Sequence, residues 1–413
     1  MSLEKEMNRS LNKSMVKTLL LGTSVTLLAI ALIVYPKEAL EGSVRGLNTW
    51  WKVVFPSLLP FFIVSEMLIG FGVVKFIGIL LEPFMRPLFR VPGVGGFALA
   101  MGMASGFPSG AKITSRLRQE KQLTAIEAER LVSFTNSSNP IFIFGAVAVG
   151  FFHNPAVGII LALSHYIGNI CVGLVMRFYG SAKPKGQVTQ KPSLSLAFHE
   201  MHKTRLKDKR PIGKLLGDAV TSAVQSLLMI GGFIILFSVL NKLLYVTHIT
   251  AVLSSGLAYL FSLCHIGPEL SLPFISGLFE ITLGSRLASE APDTLLFHQI
   301  IIVSFVLGFS GFSVQAQVAS ILAETDIRFF PFFIARIFHG CFAVVFTIFL
   351  WGPLRESITT FQASEGALPV FSHLESVTIL SQWLNVYGPL LTIFTLCCYI
   401  YIYSKRTFLH RSQ

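Results

Sequence analysis

The chain has 413 residues, of which 53% are hydrophobic and only 13% charged, with a formal net charge of +12 and a mean hydropathy of +0.67. A soluble domain carries roughly 25% charged residues, so a soluble globular fold is excluded and an all-α polytopic membrane protein is indicated. The basic excess sits in the N-terminal tail (Lys5, Arg9, Lys13, Lys17), the C-terminal tail (Lys405, Arg406, Arg411) and the stretch from Arg177 to Lys214, which holds ten of the 33 basic residues. These clusters abut apolar spans, which argues against nucleic-acid binding and marks the cytoplasmic side.

Taken in chain order, spans of about twenty apolar residues are predicted at 17–35, 53–71, 131–152, 156–178, 218–245, 297–322, 328–351 and 384–403. About eight crossings place both termini in the cytoplasm. The first run, Leu19 to Val34, ends in Tyr35-Pro36-Lys37-Glu38 without a small-x-small cleavage pattern; it reads as a retained helix rather than a signal peptide. The segments 72–90 and 246–265 are apolar but interrupted, by Lys75, Glu82, Pro83 and Arg86 in the first and by His248, Ser254, Ser255 and Gly256 in the second. They are predicted to lie along the membrane interface; the alternative, that each crosses, leaves the tails cytoplasmic too.

Residues 97–115 and 270–288 carry Gly, Pro or Ser at their middle and predict two re-entrant helical hairpins. Arg86, Arg90, Arg116, Arg118 and Lys121 flank the first, which is expected to enter from the cytoplasmic side. Glu269, Glu290 and Asp293 flank the second, which is expected to enter from the other side. The hairpins belong to a duplicated unit. Ser105-Gly106 in the first corresponds to Gly277-Leu278 in the second, and the break Asn136-Ser137-Ser138-Asn139-Pro140 corresponds to Gly308-Phe309-Ser310-Gly311-Phe312-Ser313, both at an offset of 172 residues. Phe55-Pro56-Ser57-Leu58-Leu59 aligns with Val224-Gln225-Ser226-Leu227-Leu228 at an offset of 169. Paired interruptions in two halves point to a transporter's binding site, and the opposite flanking charges predict inverted repeats.

The expected organisation is a tail and first transmembrane helix (1–49), a first repeat (50–178), a basic cytoplasmic linker (179–217), a second repeat (218–352), and an outer loop with a C-terminal transmembrane helix (353–413). Pro184, Lys185, Gly186 and Pro192 suit a flexible connection within the linker. The linker sequence Phe198-His199-Glu200-Met201-His202 spaces its histidines by three, not four, and reads as solvated loop rather than a zinc site. The five cysteines lie in or beside apolar segments without metal-ligand spacing, and no P-loop, nucleophile elbow or dinucleotide fingerprint is present. No cofactor and no covalent chemistry are expected; a coupling ion, sodium or proton, is left open.

The candidate substrate-binding residues lie in the hairpins and breaks. Ser105 and Ser109 flank the tip of the first hairpin, and Gly102, Gly106 and Gly110 are spaced for one bare helical stripe that packs closely. Asn136, Ser137, Ser138 and Asn139 place four hydrogen-bonding side chains in a row, and Pro140 removes a backbone donor; they line a polar cavity or cap a helix start. Ser310, Ser313 and Gln315 are their counterparts in the second repeat, with Gln317 beyond. Intramembrane charge is a functional-site hypothesis by default: Lys112 and Arg286 are placed to meet substrate carboxylates, with Thr282 and Glu280 beside them. Glu280 either binds a cation or proton or neutralises Arg286, and Lys112 and Arg116 either serve the substrate or snorkel. Glu66, His165, Arg336 and His339 read as buried, satisfied polar residues.

The Ser105-Gly106-Phe107-Pro108-Ser109-Gly110-Ala111-Lys112 hairpin and the Gly308-to-Ser313 break resemble the gate-domain, or nucleoside recognition, membrane proteins over roughly residues 50–352. These share an inverted-repeat core with concentrative nucleoside transporters. Within the group the chain most resembles the stage V sporulation membrane proteins of endospore-forming bacteria. That resemblance implies export of dipicolinic acid from the mother cell across the outer forespore membrane, in support of spore core and cortex maturation. Nucleoside transporters of this fold carry a G-Q-x-E-type first hairpin and an N-E-F-type second hairpin. Here the first has Gly106-Phe107-Pro108-Ser109 without an acid, and the second keeps Glu280 after Leu278-Phe279. A flat, small anionic substrate suits a cationic first hairpin better than a nucleoside does. The partners expected are that anion and the lipid bilayer, not nucleic acid, and self-association into a homo-oligomer stays open. Sodium- or proton-coupled nucleoside transport and a scaffold recruiting spore-assembly partners through the 177–214 loop are the alternatives.

Overall fold

The computed structural model describes residues 2–180 and 193–362, with positions 389, 392 and 393. Two compact units divide the chain, Met1–Gln362 and Ala363–Gln413. The crossing expected at 384–403, the C-terminal tail and linker positions 181–192 lie outside the described residues, apart from those three positions.

Among the described residues every regular element is helical. The first unit begins with α1 (Ser2–Val34) and α2 (Pro36–Thr49). The first repeat follows as α3 (Phe55–Gly70), α4 (Val73–Phe89), α5 (Val94–Ser105), α6 (Ser109–Gln119), α7 (Ala125–Thr135), a π-helical segment Ile141–Phe151, and α8 (Pro155–Met176). After α9 (Leu194–Lys207) the same order recurs: α10 (Ile212–Val246), α11 (Ile249–Leu263), α12 (Ser271–Phe279), α13 (Ile281–Ser289), α14 (Leu296–Phe309), α15 (Gly311–Leu322) and α16 (Phe329–Gln362). Each repeat is thus a pair of helices, a helix–break–helix hairpin, a broken span and a closing long helix.

Among the described residues, five helical stretches are long and apolar enough to cross a bilayer: Met15–Val34, Pro155–Met176, Ile212–Val246, Leu296–Leu322 and Phe329–Leu354. These coincide with expected crossings. Two other expected crossings are not straight helices. The one at 53–71 runs into α4 through an 82° bend, where Gly72 takes a left-handed φ of 77° that a side chain resists. The one at 131–152 is interrupted between α7 and the π-helical segment. The last helix, α16, continues through Pro353, so helix extends into the stretch read as outer loop. The linker also differs from expectation: α9 is a helix packed on α4, with the Phe76 and Phe198 rings 4.9 Å apart, not a solvated loop.

Glycines set the close approaches that position the site. A Cβ on Gly308 of α14 would come within 2.8 Å of Gly340 Cα in α16, and one on Gly168 of α8 within 3.2 Å of Ala343 N. Ser164, Ser304 and Thr347 join α8, α14 and α16, with Oγ1 of Thr347 2.6 Å from Ser304 Oγ and 3.0 Å from Ser164 Oγ. The expected stripe of Gly102, Gly106 and Gly110 does not lie on one helix. Gly106, at φ 86°, ends α5, and Gly102 and Gly110 face each other across the hairpin, both seated against the Thr135 carbonyl.

Candidate functional site

The first hairpin turns at Gly106, Phe107 and Pro108. Ser105 Oγ donates to Met101 O at 2.6 Å and lies 2.6 Å from Ser109 Oγ, and Ser109 Oγ bonds the Gly106 carbonyl. Both hydroxyls, expected to meet substrate, are therefore engaged in closing the turn. The hairpin is joined to the first break by Asn139, whose amide donates to Ser105 O at 3.0 Å while its Oδ1 accepts from Phe142 N at 2.8 Å. The break is an unwound stretch inside protein, which is where irregular backbone is tolerated at membrane depth.

Side chains of α8 and α16 satisfy the backbone of that break. Arg336, with no exposed surface, donates from NH1 to Asn136 O at 2.8 Å, from NH2 to the Ser133 carbonyl and, at 3.4 Å, to Asn169 Oδ1. Asn169 in turn donates to the Phe134 carbonyl. The Ser138 N–H donates to His165 Nε2 at 3.0 Å, which fixes that ring's proton on Nδ1, and Tyr166 OH donates to Ser138 O at 3.0 Å. His339 Nδ1 accepts from Arg336 at 2.9 Å and its Nε2 donates to His165 O at 2.7 Å. The backbone is held, but the side chains of Asn136 and Ser137, both fully buried, have no hydrogen-bond partner.

The second repeat is built similarly. Glu280 stands between α12 and α13 and accepts from Thr282 N at 2.9 Å and Leu283 N at 2.7 Å, a charged cap on a helix N-terminus. Its partner is thus the Thr282 and Leu283 backbone, not Arg286. The expected Glu280–Arg286 pair is not formed: Arg286 bonds Glu290 at 2.8 Å, with both side chains more than half exposed. In the second break Ser310 adopts φ 69° and its fully buried hydroxyl is unpartnered. Gln315 donates to Phe309 O at 3.0 Å and leaves its Oε1 unpartnered. Ser313 and Gln317 are buried. Gly311 abuts the Gly277 carbonyl, so the second break rests on the second hairpin.

Lys112 stands apart from Arg286 and shares no partner with it. Its ammonium lies 3.9 Å from Glu66 Oε1, 3.4 Å from Ser222 O and 4.5 Å from the Phe62 ring centroid. Arg116 Nε is 3.9 Å from the other Glu66 oxygen and 3.2 Å from Glu120, yet forms no hydrogen bond. Glu66, Arg116, Glu120 and Ser222 border a cavity of about 470 Å³ between α3, α6, α9 and the start of α10. On its far wall Arg210 bridges Asp208 and Asp218 at 2.7 and 2.8 Å, and its hydrogen bonds hold the Asp208 carboxyl below the usual carboxylate range. Sequence reasoning named Glu66, His165, Arg336 and His339 only as satisfied core residues. Their roles come from contacts spanning up to 203 positions, which spacing does not reveal.

Two hairpins and two broken spans, held together by buried polar contacts between repeats, define a multi-pass helical membrane protein with a gate-type core. A model of the Gate family, described as nucleoside recognition, matches residues 51–154. The chain is 55% identical over 406 residues to the sporulation integral membrane protein YlbJ of Bacillus subtilis (strain 168), covering 96% of this chain and 98% of that one. The protein belongs to this YlbJ family of sporulation integral membrane proteins. A solved structure of a CNTnw variant in an outward-facing state is similar at a TM-score of 0.39 and 13% identity, over 80% of this chain and 86% of that chain.

Proposed function

We propose that the protein is a transporter that moves dipicolinic acid, a small aromatic dicarboxylate, out of the mother-cell cytoplasm across the outer forespore membrane. The observation that carries this reading is the state of the two breaks. Their backbone is anchored by protein, while Asn136, Ser137 and Ser310 keep fully buried polar side chains without partners. Buried polar groups are normally hydrogen-bonded, so a run of free ones at paired interruptions suits groups that exchange partners with a ligand. The substrate class is argued from the cationic first hairpin: Lys112 and Arg116 both stand at Glu66, Arg116 lines the adjoining cavity, and both carboxylates of dipicolinate are ionised near neutral pH. The relative's role in sporulation supplies the setting.

Uptake of labelled dipicolinate into proteoliposomes containing the full chain tests the reading. Saturable uptake, competed by unlabelled dipicolinate and not by uridine, is expected. Uptake of uridine instead would assign the protein to nucleoside transport. Uptake of neither, by folded protein, would favour the scaffold, whose function should then depend on the 177–214 segment.

A further inference from the structure

Resting on the transport reading above, we propose that Arg336 is a positioning residue that also gives the first break its ligand preference: it grips the Ser133 and Asn136 carbonyls where the helix unwinds and makes the break a site for an anionic group. The guanidinium is completely buried, and among the described residues it has no carboxylate within ion-pair distance. Its hydrogen bonds run to carbonyls, to Asn169 and to a neutral face of His339, and its Nε–H has no partner. Holding a carbonyl does not by itself require a charge. The adjacent Phe134 carbonyl is satisfied by the neutral amide of Asn169. A full charge in that position carries a large desolvation cost unless an anion compensates it.

The break is built to receive that anion. The side chains of Asn136 and Ser137 are fully buried and unpartnered, next to the carbonyl that Arg336 grips. The second break reaches the same helix face. Gly308 packs on His339 and Gly340, one turn from Arg336, which brings the unpartnered Ser310 hydroxyl two residues beyond that contact. In a low-dielectric interior a charge acts over several ångströms, so Arg336 favours an anion at the Asn136–Ser137 side chains without touching it. Arg336 lies in the second repeat and the break in the first, so charge and receiving groups come from different halves of the protein.

The test uses the full chain with its native cysteines replaced and Ser137→Cys introduced. Labelling rates are measured with an anionic and a cationic methanethiosulfonate reagent, in membranes. With Arg336 present the anionic reagent should react roughly tenfold faster relative to a lipid-exposed or loop control cysteine, corresponding to about 1.4 kcal/mol. Arg336→Gln should abolish that preference and Arg336→Lys should keep it. A purely structural role would slow or speed both reagents together and leave the ratio unchanged. Equal ratios in all three proteins, a preference for the cationic reagent, or no labelling of Ser137→Cys by either reagent would overturn the proposal. If Arg336→Gln does not reach the membrane, the parent decides through Ser137→Cys against the control cysteine: a roughly tenfold preference for the anionic reagent supports the proposal, and parity overturns it. Because labelling needs no substrate, its outcome stands whether or not dipicolinate uptake is observed.

Discussion

Asn139 and Ser105 tie the two discontinuities of the first repeat together: the Asn139 amide donates to the Ser105 carbonyl at 3.0 Å, across 34 positions of sequence. The same side chain caps the π-helical segment through Phe142 N. Hairpin tip and broken span therefore share one side chain and should move as one body.

Asn139 and Asn136, indistinguishable in the sequence pattern, should behave differently. Asn139→Ala removes two hydrogen bonds and leaves a buried carbonyl unpaired, which costs about 1–3 kcal/mol and should lower the melting temperature in detergent. Asn136→Ala removes a side chain that bonds nothing, so melting should shift little while dipicolinate uptake falls. Equal stability losses at both positions would show that the difference in partners does not matter.

Gly110→Ala should be strongly destabilising. A Cβ there runs into the Thr135 carbonyl, which sits between Gly102 and Gly110, and overpacking of this kind costs typically about 1–3 kcal/mol. Gly352→Ala, where nothing lies within 4 Å, is the control and should be neutral. Unfolding followed for both variants in detergent checks the contrast.

How much of this was legible in the sequence depends on the range of the interaction. The hairpins and breaks were, because Gly106, Pro108, Pro140 and the Ser310-Gly311 pair interrupt apolar runs through backbone chemistry that acts over a few residues. The recurrence of those interruptions exposed the duplicated architecture. The roles of Ser105, Ser109 and Glu280 were not legible. A hydroxyl that closes its own turn, or a carboxylate that caps its own helix, has the same sequence signature as one that faces a ligand. Arg336 was the furthest from reach, since its acceptors at Ser133 and Asn136 belong to the other repeat.

The charge asymmetry predicts orientation. Cysteines at position 195 in α9 and position 292 after α13 should label from opposite sides of the membrane, with 195 cytoplasmic. Labelling of both from the cytoplasm would contradict the inverted arrangement of the repeats.

Glu280 and Arg286 should act independently. Glu280→Ala strips the cap from α13, a loss of about 0.5–2 kcal/mol, whereas Arg286→Gln breaks an exposed pair worth about 0–1 kcal/mol. With no shared partner, the double variant should equal the sum within about 0.5 kcal/mol. A double-mutant cycle on thermal stability measures the coupling. A large coupling, or rescue of transport in Arg286→Gln by Glu280→Gln, would restore the internal pair that the structure does not contain.

Lys112 and Glu66 pose the sharper question, because the ammonium lies 3.9 Å from the carboxylate, close enough to neutralise it but beyond hydrogen-bonding distance. If Lys112 receives a substrate carboxylate, Lys112→Gln should raise the apparent KM for dipicolinate about tenfold or more, since a charge-assisted hydrogen bond contributes about 1.5–3 kcal/mol. Glu66→Gln should then lower KM or leave it unchanged, because it removes an anion that competes for the same cation. The opposite pattern follows if Lys112 only compensates Glu66. Lys112→Gln would leave the Glu66 carboxylate with Arg116 as its remaining cation and reduce the yield of folded protein, and adding Glu66→Gln would recover it. Substrate titrations and melting curves on the two single variants and the double separate the cases. A raised KM that Glu66→Gln does not repair assigns Lys112 to the substrate, and recovery of both stability and KM in the double assigns it to Glu66.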